Sequence, residues 1–75
     1  MKTFKVKINS IGDVKNFVNI VSKYDFDIDL ISDRYVVDAK SIMGIFSLDL
    51  TKPIEVQVHT DDADAIAAEL APYTA

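Results

Sequence analysis

The 75-residue chain has no cysteine, one histidine, two glycines and two prolines. Without cysteine there are no disulfides and no thiolate metal sites. With His59 as the only histidine, no set of nucleophile, base and orienting group can be assembled, so no enzyme activity is expected. Gly12 and Gly44 are too few to build a phosphate-cradling loop. No apolar run is long enough to span a membrane, and Met1 to Asn9 alternates polar and apolar residues where a signal peptide would have an apolar stretch. A cytoplasmic location is the expectation. Cations are also scarce: 8 Lys and Arg against 12 Asp and Glu leave a net charge of −4. That argues against nucleic acid and acidic membranes as partners, since both require a basic surface. Tyr24, Tyr35 and Tyr73 are too few, and in too acidic a setting, to form a base-stacking platform.

What is present is globular: 49% hydrophobic residues with 27% charged. A chain of this length is expected to form one domain over residues 1–75, burying roughly 60% of its unfolded surface around a single core. No internal repeat, linker or low-complexity segment is visible.

Thr3 to Ile8 reads as a strand with Phe4, Val6 and Ile8 on one face and Lys5 and Lys7 on the other. In the next segment Val14, Phe17, Val18 and Val21 fall at i, i+3, i+4 and i+7, the spacing of one buried helical stripe. Ser10 and Asp13 before it have capping-box spacing. Phe26, Ile28 and Leu30 alternate with Asp25, Asp27 and Asp29 as a second strand. Ser32-Asp33 predicts a turn, and Tyr35 to Ala39 a third strand. After Thr51-Lys52-Pro53, Ile54, Val56 and Val58 alternate with Glu55, Gln57 and His59 as a fourth. Thr60, Asp61 and Asp62 supply a cap and favourable charge for a last helix, in which Ala63, Ile66, Ala67 and Leu70 line one side and Pro72 prevents extension. The economical packing is two layers, with helices over one face of a four-stranded sheet and a wet face carrying Lys5, Lys7, Asp27, Asp29, Glu55 and Gln57.

The acidic clusters have plain explanations. Asp25, Asp27 and Asp29 share the opening spacing of a calcium loop, but Leu30 stands where glycine is needed and Val36 where a bidentate glutamate is needed. Asp61, Asp62 and Asp64 suit a helix N-terminus, and His59 near them reads as an exposed strand residue. No metal site and no cofactor is expected.

Between the third and fourth strands lies Lys40-Ser41-Ile42-Met43-Gly44-Ile45-Phe46-Ser47-Leu48-Asp49-Leu50. Ile42, Ile45, Phe46 and Leu48 fit a helical face loosely and Met43 falls off it, which predicts a short helix with a wet hydrophobic side. Ser41 then stands at its first turn, either as an ordinary cap or as a phosphate acceptor beside free backbone amides.

The run KSIMGIFSLDL, with SKYDFDIDL before it, resembles the histidine-containing phosphocarrier protein (HPr) family of the bacterial sugar phosphotransferase system. The resemblance implies an α+β open-faced sandwich, in which an antiparallel four-stranded sheet is covered on one side by three helices in the order β-α-β-β-α-β-α. Family carriers have a Gly-Ile-His-Ala-Arg-Pro motif entering the first helix, whose histidine takes and passes a phosphoryl group. Counted back without gaps from Lys23-Tyr24, the histidine position falls on Ser10, the arginine position on Gly12 and the proline position on Asp13. An imidazole attacks phosphorus as a neutral nitrogen and forms a reactive P–N bond, whereas a serine hydroxyl needs an added base and forms a stable ester. Loss of the arginine also removes a forked phosphate donor. The resemblance thus implies a family member without phosphocarrier activity and without catalytic residues.

The regulatory half of the family pattern is retained. In related carriers the serine of Lys-Ser-Ile-Met-Gly is phosphorylated by an ATP-dependent kinase, and the product binds a transcriptional regulator. That serine maps to Ser41, and the family's docking patch maps to Ile42, Met43 and Phe46, methionine being suited to adaptable surfaces. Three outcomes are implied: an adaptor bound through Ser41–Phe46, a residual carrier using Ser10 or His59, or the fold reused for an unrelated protein interaction.

Overall fold

The computed structural model describes residues 2–74, so Met1 of the alternating N-terminal stretch lies outside them. The elements run β1 (Lys2–Val6), α1 (Ile11–Val21), β2 (Ile28–Ser32), β3 (Tyr35–Asp38), α2 (Ile42–Phe46), β4 (Ile54–Val58), α3 (Asp64–Glu69) and a 3-10 turn at Ala71–Tyr73. The four strands form one antiparallel sheet in the order β1-β4-β2-β3, and the three α-helices cover one side of it. This is the expected open-faced α+β sandwich.

Each strand contributes alternate residues to the covered side. Val6, Ile28, Leu30, Ile54, Val56 and Val58 are buried there against Val14, Phe17 and Val21 of α1, with Ile45, Leu48, Ile66 and Leu70 completing the same cluster. The stripe expected for α1 is therefore the stripe that packs, with Val18 half-buried at its border. Five branched residues among its eleven (Ile11, Val14, Val18, Ile20 and Val21) weaken the intrinsic propensity of α1, so this burial is what holds it. The uncovered side carries Lys5 opposite Glu55 and Thr3 opposite Gln57, which in turn lies opposite Asp29.

Three local expectations shift. The second strand begins at Ile28, not Asp25: Phe26 instead stacks against Tyr24 at 5.3 Å between ring centres. The turn falls on Asp33-Arg34, because Asp33 holds φ 54, a left-handed conformation that a short acidic side chain tolerates. Ser32 is thereby kept in β2 and buried. The cap of α3 is Ala63, which makes no side-chain bond, while Thr60 Oγ1 accepts from the Asp62 N–H (3.3 Å) one turn earlier. Ala63 is buried against the core, and that packing sets where the helix starts.

Candidate functional site

Ser10 caps α1. Its Oγ accepts the Asp13 N–H at 3.1 Å, and Asp13 Oδ2 accepts the N–H of Asn9 (3.2 Å), one residue before the cap, where the capping-box spacing pointed to Ser10 itself. The first turn of α1 is thus filled by a hydroxyl and a carboxylate. Gly12 is exposed, and a Cβ there would meet only Ser10 Oγ at 3.7 Å, so no steric constraint demands glycine. Beside it Ile11 is 64% exposed. Ile11 lies outside the stripe of residues that pack, so helical periodicity gives no signal for it.

Ser41 caps α2 in the same manner, Oγ accepting the Gly44 N–H at 3.2 Å, and it is exposed. The preceding Lys40 is committed to structure: its Nζ donates to the carbonyls of Tyr24 (2.7 Å) and Phe26 (3.1 Å), tying the loop after α1 to the start of α2. Gly44 brings α2 onto β3, since a Cβ there would lie 3.3 Å from Val37 Cβ. Ile45 and Leu48 go inward, Ile42 is half-buried against the core, and Met43 and Phe46 are left 76% and 42% exposed. Met43 and Phe46 are three apart and so share a helix face. Of the three residues mapped to a docking patch, two are at the surface and Ile42 mainly supports them.

The structure does not bring His59 to Ser10. β1 starts opposite Val58 and ends opposite Ile54, so His59 and Ser10 leave the β1–β4 pair at opposite ends, about 13 Å apart along the strands alone. His59 Nε2 lies 2.8 Å from Asp29 Oδ2, across the uncovered side of the sheet. Among the described residues no three acidic or histidine side chains converge as metal ligands. An open cleft of about 260 Å³ on the uncovered side is bordered by Lys5, Lys52, Asp33, Glu55, Ile31 and Pro53. It mixes both signs of charge and includes none of the predicted residues.

Two carboxyls are electrostatically marked. Lys23 and then Tyr24 hold Glu69 below its ordinary 4.5, while its carboxylate raises Tyr24 above 10.0. Hydrogen bonds from the Thr51 hydroxyl (2.5 Å) and N–H (3.0 Å) lower Asp49 and fix the connection from α2 to β4. Both groups are structural ties.

The fold and its two serine-capped helices define an open-faced α+β sandwich with a short, partly uncovered second helix. Residues 13–72 match the family model described as the PTS HPr component phosphorylation site. The chain belongs to the HPr family of the phosphotransferase system, a family of phosphocarriers that relay a phosphoryl group and do not turn over a substrate. The match starts at Asp13, past Ser10 and Gly12. Among solved structures the chain is similar to HPr-C-His from Thermoanaerobacter tengcongensis (TM-score 0.75, 27% identity, covering 93% of this chain and 85% of that one). It is also similar to the phosphocarrier protein HPr from Bacillus anthracis str. Ames (TM-score 0.75, 26% identity, covering 99% and 96%). No helix of the described residues is long and apolar enough to cross a membrane.

Proposed function

We propose that the chain, acting as one HPr-like domain over residues 1–75, is a regulatory or adaptor protein of the phosphotransferase type that does not itself carry phosphate. It is bound through the Ser41–Phe46 helix, and phosphorylation of Ser41 switches that binding. The observation that carries this role is the exposed pair Met43 and Phe46, on the helix that the exposed Ser41 caps. A phosphate on Ser41 Oγ would add charge and acceptor oxygens beside the first-turn amides, at the border of that apolar pair. The partners are a serine kinase and either a transcriptional regulator or another component of the transport system.

Absence of carriage rests on Ser10. Its hydroxyl is already an acceptor for Asp13 N–H, Asp13 adds negative charge where a phosphoryl group would have to sit, and no imidazole or arginine stands within the first turn of α1. Family membership favours a second role, residual carriage on Ser10 or His59. Against His59 stands its position, facing the Asp29 carboxylate, which would repel a phosphoryl donor.

Two incubations separate the roles. The purified protein is treated with phosphoenolpyruvate and the first enzyme of the system, and separately with ATP and the serine kinase, and both products are weighed. The adaptor role expects one acid-stable phosphate on Ser41 from the second mixture and none from the first. Acid-labile phosphate from the first mixture would establish carriage instead. No modification in either mixture would leave the fold serving an unrelated interaction.

A further inference from the structure

The two edges of the sheet are protected unequally. β1 carries Lys2 and Lys5, and its end is covered where Thr74 bridges to Val6 and the Lys7 N–H reaches the Tyr73 carbonyl at 2.6 Å. Edge lysines and a covering segment both discourage strand-to-strand pairing. β3, the opposite edge, has neither: Tyr35 and Val36 are 66% and 61% exposed.

The backbone of β3 is also directed outward. In a two-residue hairpin the residues flanking the loop exchange hydrogen bonds, here Ser32 with Tyr35, and alternation gives the same to Leu30 with Val37. The bond from Ala39 N–H to the Ile28 carbonyl (2.9 Å) continues that parity. Val36 therefore turns its N–H and C=O away from β2, and Asp38 its N–H. The Asp38 carbonyl accepts from Ser41 N–H at 3.0 Å.

We infer that β3 pairs with β3 of a second copy of this chain, antiparallel and centred on Val36, joining two sheets into one. In that register each Val36 lies opposite its counterpart, and each Arg34 lies opposite Asp38 of the other chain, twice by symmetry. Two observations select it. The Arg34 guanidinium has no ion pair or hydrogen bond among the described residues. Asp38 lies directly opposite Asp29, which meets His59 Nε2. The Asp38 carboxylate, by contrast, accepts the Lys40 N–H (2.9 Å) and has no cation among the described residues, a place an arginine from the other chain would fill. A slip of two residues sets the charges against valine, and a slip of one puts side chains on the wrong face. Val36 opposite Ile31 in each copy then makes a continuous apolar stripe across the join. A contact this short buries little area, so the dimer is weak.

The test follows the mass of the intact chain by sedimentation from about 10 μM to about 1 mM, the range in which small interfaces associate. The expected result is a rise from one chain toward two, with the Val36 and Asp38 amides gaining exchange protection as concentration rises. Arg34→Asp and Asp38→Arg each place like charges in register twice and should weaken association about tenfold or more. An equimolar mixture of the two variants restores complementarity and should recover the dimer. Val36→Lys, at an exposed position, should stay monomeric. A constant mass over the range would overturn the pairing. So would association indifferent to the charge reversals, or protection arising at Met43 and Phe46 instead, which would mark dimerisation through α2.

Discussion

Tyr24 donates its phenolic hydrogen bond to Glu69, 45 residues away, while the other carboxylate oxygen of Glu69 receives the Lys23 ammonium. One acidic side chain at the end of α3 thus fixes the exit from α1. Lys40 fastens the same loop from the other side through its carbonyls. Three separated stretches of sequence, residues 22–27, Lys40 and Glu69, meet here.

Acid should loosen this tie. Because Glu69 titrates below its ordinary 4.5 when folded, its contribution to stability is complete above that value and is lost as pH falls through the lower folded value. Glu69→Gln should be less stable than the native chain at neutral pH, and denaturant midpoints of the two should converge below pH 4.5. Parallel curves would show that another group carries the acid sensitivity. On the alkaline side the raised Tyr24 adds stability that is complete below 10.0 and lost as pH rises through its folded value. Absorbance titration should place Tyr24 lower in the Glu69→Gln protein.

Gly44→Ala should destabilise, although alanine is the better helix former by about 1 kcal/mol. The added methyl would sit 3.3 Å from both Val37 Cβ and Ser41 Oγ, and relief requires α2 to back away from β3. We expect a net loss of about 1 kcal/mol, since crowding of this kind typically costs 1–3. Val37→Gly as a second change removes that Cβ, so the added cost of Gly44→Ala should be smaller in the Val37→Gly background. A cycle without coupling between the two positions would place the effect elsewhere.

Ser10→Ala and Ser41→Ala should each cost about 1 kcal/mol, as loss of an N-cap does, measured by urea unfolding. The α1 cap adds a further test, because Asp13 holds the Asn9 N–H independently of Ser10. Ser10→Asp should therefore be nearly neutral in stability while leaving no route to phosphorylation at that position. Replacing Ser10, Gly12 and Asp13 together by the family's His, Arg and Pro should instead produce acid-labile phosphate with phosphoenolpyruvate and the first enzyme. Failure of the triple replacement to take phosphate would locate the defect beyond the first turn of α1.

Phe17→Ala should be the most damaging single change in α1. Phe17 is fully buried beneath the sheet, and truncation of such a ring costs about 3–5 kcal/mol. A small domain holds only about 5–15 kcal/mol in total, so a measurable unfolded fraction is expected at room temperature by circular dichroism. Val18→Ala, at the half-buried border, should cost visibly less.

Periodicity carried the fold wherever one face is buried and the other wet. Val14, Phe17 and Val21 in α1 and Ile54, Val56 and Val58 in β4 are where alternation placed them. It failed where tertiary contacts override local pattern. Asp25 to Asp27 alternate like a strand, but Tyr24 and Phe26 stack on each other and Lys40 takes their carbonyls. Ser32 looks like turn chemistry, yet the residue that must accept a positive φ is Asp33. For α2, spacing set Met43 apart from the packing residues, and it is the most exposed large hydrophobe among the described residues. The same spacing grouped Phe46 with the inward residues, yet it is 42% exposed, because a five-residue helix has too few positions to define a stripe. The bond of His59 to Asp29 depends on the register of β2 with β4, which no local pattern encodes.

The strand order also governs when the protein can fold. β2 and β3 meet through a two-residue loop, but β1 finds its partner only in β4, near the other end of the sequence. During synthesis the first strand must therefore wait, unpaired, until most of the chain has left the ribosome. Closing such distant pairs slows folding compared with a helical bundle of equal size. The lysines along β1 keep that waiting strand in water, so the same residues that guard the finished edge also guard the nascent one.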